Sequence, residues 1–240
     1  MMTRPLLKLL LGALSLLACC ELGYAQELPT TAPLVVVELF QSQGCSSCPP
    51  AEANLNAIAG QPGILALSYG VTYWDSIGWK DTFAKQAYTE RQWAYARHHR
   101  HGNVWTPQVY VNGHSDLVGS DRAQLDQVIA DATTAQGPPL SWEHGQLVVG
   151  AGKPAADCDV WLVRYDPRTI NVAIGGGENG GRTLPHRNVV RELVHLGNWD
   201  GSPHSFAVPP SSFRGLSTAA LVQIKAGGDI LSASRDSAAL

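Results

Sequence analysis

Hydrophobic and polar positions change rhythm about halfway along the chain. Residues 34–40 are β-branched or apolar except for Glu38, the pattern of a strand buried on both faces. After Pro49-Pro50, the apolar positions Ala51, Leu55, Ile58 and Ala59 recur at helical spacing until Gly60. Residues 64–71 predict a second buried strand, and residues 81–96 a helix opened by Asp81. Residues 108–111 and 115–118 predict two strands joined at Asn112-Gly113, a tight-turn pair. Residues 120–132 predict a helix capped by Ser120, with Leu125, Val128 and Ile129 inward. The predicted order is βαβαββα, an α/β unit. Beyond a polar linker at 133–139, short strands separated by turns are expected at 146–149, 160–165, 171–174, 188–195, 205–208 and 219–224. They predict a small β-rich, sandwich-like C-terminal module over residues 140–240.

The first 25 residues stand apart from this pattern. Arg4 and Lys8 form a basic start, residues 9–18 an apolar run, and Gly23-Tyr24-Ala25 a small-residue cleavage site, together reading as an export signal. A second cut is encoded at Leu16-Leu17-Ala18-Cys19, which resembles a lipobox and would leave Cys19 lipidated. The expected location is therefore periplasmic or secreted, with a membrane tether only if Cys19 carries lipid. The apolar run is too short for a spanning helix, which needs about 20 apolar residues.

Composition narrows the partners. Across 240 residues, 45% are hydrophobic and 15% charged, enough apolar material for real cores. A formal charge of −3 with no basic cluster argues against a nucleic-acid partner. Of five cysteines, Cys19 and Cys20 fall in the export signal, leaving Cys45, Cys48 and Cys158 for an oxidising compartment. Only Ser46 and Ser47 separate Cys45 from Cys48, and closing so short a loop removes little chain entropy. The pair therefore points to chemistry. Strand, short loop, C-x-x-C and helix follow in sequence, so Cys45 lies where free backbone N–H groups and the helix dipole favour thiolate. Half a zinc site is the alternative, but the second close cysteine pair is missing.

These residues carry a resemblance. The segment from Leu34 to about residue 135 resembles a thioredoxin fold, with Cys45-Ser46-Ser47-Cys48 at the active-site position and Thr106-Pro107 at the place of the cis-proline. The wording Val37-Glu38-Leu39-Phe40 through Cys48-Pro49-Pro50, the Tyr73-Trp74-Asp75 to Asp81 stretch, and Glu178-Asn179 to Leu193 resemble a family of secreted bacterial proteins known by a domain-of-unknown-function label. The resemblance implies a thioredoxin-like domain at 26–135 and a thiol–disulfide oxidoreductase that needs no cofactor. In it Cys45 is the nucleophile and Cys48 the resolving thiol, and the Trp105-Thr106-Pro107 loop holds a partner that presents protein thiols or disulfides. It further implies that Glu38, the acid within the first strand, passes a proton to Cys48; a salt-bridged glutamate is the competing reading. Two other functions use the same residues: a metallochaperone whose two thiolates bind Cu(I), and a binding module without redox chemistry.

Other features read as structure. His98, His99 and His101 crowd a helix end, but Arg97 and Arg100 between them oppose a metal ion. The run Gly175-Gly176-Gly177-Glu178-Asn179-Gly180-Gly181 lacks the lysine of a phosphate loop and reads as a flexible hairpin. Glu178, Arg182, His186 and Arg191 either face the dithiol from the second module or form a solvated edge. Cys158 is expected to remain a buried, unpaired thiol.

Overall fold

The computed structural model describes Met1 and residues 33–132 and 137–236. The rest of the expected export signal, with Cys19, and residues 133–136 of the expected linker lie outside the described residues. In chain order the elements are β1 (Val35–Gln41), α1 (Cys48–Ile58), β2 (Ile64–Gly70), α2 (Gln86–His98), β3 (Gln108–Val111), β4 (Ser115–Leu117) and α3 (Arg122–Asp131). There follow β5 (Leu140–Glu143), β6 (Gln146–Val149), β7 (Cys158–Asp166), β8 (Ile170–Ala173), β9 (Thr183–His186), β10 (Val189–Trp199), β11 (His204–Ala207), β12 (Ser217–Ile224) and β13 (Ile230–Arg235). A single turn of 3-10 helix at Gly177–Asn179 lies between β8 and β9.

Eight strands form one mixed sheet in the order β13-β12-β7-β10-β2-β1-β3-β4. β1 runs parallel to β2, as the helical crossover through α1 allows, and antiparallel to β3, which turns back through a short connection into antiparallel β4. Alternation along β1 sorts the two faces. Val37 and Leu39 pack with Ala51, Leu55 and Ile58 of α1 and Leu125 of α3. Val36 and Phe40 point the other way, onto Tyr88 and Tyr95 of α2.

The C-terminal half is rich in strands, as expected, and most of them join the sheet of the first half. β10 pairs in parallel with β2, and β7, β12 and β13 extend the same sheet outward. A sandwich does form, of smaller extent: Leu140, Leu147, Val149 and Phe206 of the β11-β6-β5 sheet cover Cys158, Val160, Ala220 and Val222. The short polar gap at 133–139 gave no sign that the strands beyond it return to the first sheet.

Two helix starts differ from expectation. α2 begins at Gln86, because the Asp81 carboxylate accepts hydrogen bonds from the Phe83 and Gln43 N–H groups and so closes a turn instead of capping a helix. α3 is capped by Asp121, whose carboxylate accepts from the Gln124 N–H at 3.1 Å, and not by Ser120.

Candidate active site

Cys45 lies in the turn after β1, and Cys48 is the first residue of α1. Two backbone bonds set the turn, Cys45 N–H to the Ser42 carbonyl at 3.1 Å and Cys48 N–H to the Cys45 carbonyl at 3.2 Å. Pro49 and Pro50 fill the first helical positions, where a missing N–H costs nothing and the fixed φ suits a helix. The turn brings the two Cα atoms to 5.5 Å, and the sulfurs are joined in a disulfide. Ser47, the residue before the helix, makes no capping bond, and its hydroxyl lies 3.3 Å from the Cys45 sulfur.

The Trp105-Thr106-Pro107 loop comes up beside this turn. The Thr106–Pro107 bond is cis, as the sequence led us to expect, and the Ser47 hydroxyl reaches the Thr106 carbonyl at 3.4 Å. Trp74 donates its indole N–H to the Thr106 hydroxyl at 2.7 Å, and Gln92 holds the Trp105 carbonyl. Trp105 itself is 36% exposed, at the rim of the site. Both cysteines are covered, with Cys45 at 0% and Cys48 at 1% exposure.

Much of that cover comes from the far half of the chain. Asn179, buried, donates its side-chain amide to the carbonyls of Gln43 and Cys45 at 2.9 and 2.8 Å. Its neighbour Glu178 accepts from the Ser46 N–H at 2.9 Å and the Ser46 hydroxyl at 2.7 Å. The glycine run around them does join a hairpin, β8 antiparallel to β9, but its tip is built for close approach to the active-site turn. A Cβ on Gly176 would sit 2.3 Å from the Gly78 carbonyl oxygen, and one on Gly177, at φ +67°, would meet Trp79 and Gly44. Gly176→Ala is therefore expected to push the turn off the active-site loop and to cost about 1–3 kcal/mol of stability, measured by denaturant unfolding.

Glu38 does not serve Cys48. Alternation along β1 turns it toward α2, on the face opposite α1, where Arg91 donates to its carboxylate at 2.9 and 3.0 Å and Tyr95 adds its hydroxyl. It is the salt-bridged glutamate, fully buried.

A different acid occupies the turn below Cys48. Glu52 lies four residues on in α1, on the same helix face, and helical side chains lean back over the preceding turn. Its carboxylate meets His186 Nδ1 of β9 at 2.6 Å, and both side chains are buried. His186 Nε2 has no hydrogen-bond partner among the described residues, although it is buried. Burial, the largest influence, pushes the Glu52 carboxyl above its ordinary value, against the lowering effect of His186. Burial likewise raises Asp81, against the lowering effect of the Gln43 and Phe83 N–H groups that bond it. Sequence reasoning placed Glu178 and His186 in one polar stretch without choosing between the dithiol and a solvated edge; both meet the C-x-x-C helix or its leading turn. Of the other two, Arg182 bonds the Asn179 side chain at 2.6 Å, and the Arg191 guanidinium lies over the rings of Phe83 and Phe213.

The three clustered histidines have separate attachments: His99 to the Gly113 carbonyl and His101 to Asp116, with His98 edge-on to His99. Cys158 is free and buried, and burial raises its thiol further.

No functionally curated protein matches the sequence. Two solved structures are similar to it. The crystal structure of an Agrobacterium tumefaciens protein is 30% identical, with a TM-score of 0.70, over 85% of this chain and 94% of that one. HBP35 of Porphyromonas gingivalis is 14% identical, with a TM-score of 0.54, over 86% of this chain and 75% of that one, and at that identity the likeness is one of fold alone. A family model described as protein of unknown function, DUF1223, matches residues 36–223, most of both the α/β half and the strands that extend its sheet, and the chain belongs to that family.

Proposed function

We propose that this protein is an exported thiol–disulfide oxidoreductase built on a thioredoxin-like unit. The observation that carries the reading is the Cys45–Cys48 disulfide at the leading end of α1, with a hydroxyl on the Cys45 sulfur and the Thr106-Pro107 loop against it. The succession β1-α1-β2-α2-β3-β4-α3, with β1 central between β2 and β3, supports the thioredoxin-like reading of this half. A thiolate born at Cys45 draws the Ser47 hydroxyl proton over from the Thr106 carbonyl and has the N-terminus of α1 beside it, both of which stabilise negative sulfur.

In the forward exchange, a partner thiolate attacks the Cys45 sulfur and the Cys45–Cys48 bond breaks. The electron pair goes to the Cys48 sulfur, which takes up one proton, and a partner–Cys45 mixed disulfide remains. A second partner thiolate then attacks the partner's own sulfur, releasing the partner as a disulfide and Cys45 as thiolate. Two electrons pass from partner to protein. Glu52, one helical turn on from Cys48 and paired with His186 of β9, supplies that proton in place of Glu38. Because the sulfurs are covered in the oxidised form, the first attack requires a neighbouring segment to yield.

Removing the resolving thiol tests the assignment of roles. A Cys48→Ser variant mixed with a peptide disulfide is expected to accumulate a mixed disulfide at Cys45, seen by intact mass and peptide mapping, whereas Cys45→Ser should trap little. Trapping at Cys158, or none at all, would defeat the proposal.

A further inference from the structure

Glu178 belongs to the connection between β8 and β9, yet its carboxylate is bound to Ser46, one of the two residues between the cysteines. It accepts from both the N–H and the hydroxyl of Ser46. The first of these is a backbone N–H in the turn that leads into α1, a donor whose positive character would otherwise favour a neighbouring thiolate. The two Ser46 bonds hold the Glu178 carboxyl below its ordinary value, so it is ionised at neutral pH. Asn179, tied to the Cys45 and Gln43 carbonyls, fixes the turn that presents it. A full negative charge is thus anchored one residue from the sulfur that must become negative on reduction.

We infer that Glu178 is a positioning residue that sets the redox balance of the Cys45–Cys48 pair, holding it toward the disulfide by opposing the Cys45 thiolate. The inference rests on the thiol–disulfide reading and adds a role for the C-terminal half. The sign follows from charge. The disulfide is neutral and feels the carboxylate little, whereas the reduced form carries the thiolate and is raised by it. Other charged groups around the motif remain in place when Glu178 changes: Asp81 behind Gln43, Glu52 with His186 under α1, and Arg182 on Asn179. On the Trp105-Thr106-Pro107 side, His101 lies edge-on to Trp105 and pairs with Asp116, and these too are untouched by the substitution.

Glu178→Gln keeps an oxygen that can accept from Ser46 and removes the charge. Glu178 is exposed, so the effect belongs at the lower end for a nearby charge: the Cys45 thiol should titrate about 0.5–1 unit lower. The equilibrium with a glutathione couple should move toward the dithiol by about threefold to tenfold. In that equilibrium two glutathione thiols supply two electrons and two protons and leave as one glutathione disulfide. Raising salt from about 0.1 to 1 M should shrink the difference between variant and wild type.

The decisive experiment measures both quantities in wild type, Glu178→Gln and Glu178→Ala. Cys45 is titrated by alkylation rate against pH on reduced protein, and the equilibrium is followed by mass. A lower Cys45 titration and an equilibrium displaced to the dithiol in both variants support the inference. Variants that exchange faster in both directions with no displacement would show a mere latch and overturn it. So would unchanged titration of Cys45. A wild-type disulfide inert to glutathione would instead strike the oxidoreductase reading, and the alkylation titration would still decide the part played by Glu178.

Discussion

Arg91→Met is expected to destabilise the fold by about 3–5 kcal/mol, because it strands a buried carboxylate without its cation. Arg91 gives Glu38 two hydrogen bonds, and it also reaches Gln223 and the Tyr95 hydroxyl, so that α2, β1 and β12 are joined at one guanidinium. Removing both charges with Glu38→Leu and Arg91→Met should restore most of the loss, since an apolar pair of fitting volume needs no desolvation of ions. Urea unfolding of the two single variants and the double variant measures the cycle. At denaturant levels where Arg91→Met is folded, alkylation of Cys45 and Cys48 should match wild type, because Glu38 lies on the far face of the sheet from α1. Altered thiol reactivity in folded Arg91→Met would return Glu38 to the redox site.

Glu52→Gln is expected to slow reduction of the disulfide by about tenfold to a hundredfold, at or below the lower end of what a positioned general acid contributes. The glutamine is close in size and retains an oxygen for His186 but has no proton to give or take. The same variant has a pH signature in stability. Burial raises the folded-state value of Glu52 above its unfolded one. The stability this group contributes is therefore full below the ordinary carboxylate value and is lost as pH rises through the raised value. Wild type should lose stability across that window and Glu52→Gln should lack this component. Stopped-flow reduction and urea midpoints read on one pH series separate the two effects. An unchanged rate with a changed stability profile would leave Glu52 a structural pair with His186 and nothing more.

How far the sequence disclosed this arrangement depended on the range of each signal. Local signals were good guides. The mainly apolar character of residues 34–40 and 64–71 marked β1 and β2 because both are buried on two faces, and Pro49-Pro50 marked the first turn of α1, which opens at Cys48. Alternation in β1 also contained the true fate of Glu38, since it shares a parity with Val36 and Phe40. What could not be read was the side on which α1 would pack, and that decided the matter. The partners of the disulfide loop were hidden by distance: Asn179 lies 134 residues from Cys45, and His186 lies 134 from Glu52. No spacing rule links residues so far apart. The glycine run misled for a related reason, because glycine serves equally a loose hairpin and a backbone that must pass within contact of another. Asp81 misled as a cap because its side chain could satisfy either a helix or the Gln43 N–H, and only the fold brings Gln43 to it.

If Cys45 and Cys48 form a reversible redox pair, an equilibrium titration must show it. Native protein is incubated in glutathione couples of graded ratio, quenched with acid, alkylated and weighed. A reversible pair gives a single two-electron transition in which Cys45 and Cys48 are alkylated to the same extent at every ratio, reached identically from the oxidised and the reduced protein, with Cys158 free of glutathione throughout. A pair that stays disulfide-bonded or fully reduced at every ratio, or that takes different positions from the two directions, would contradict it.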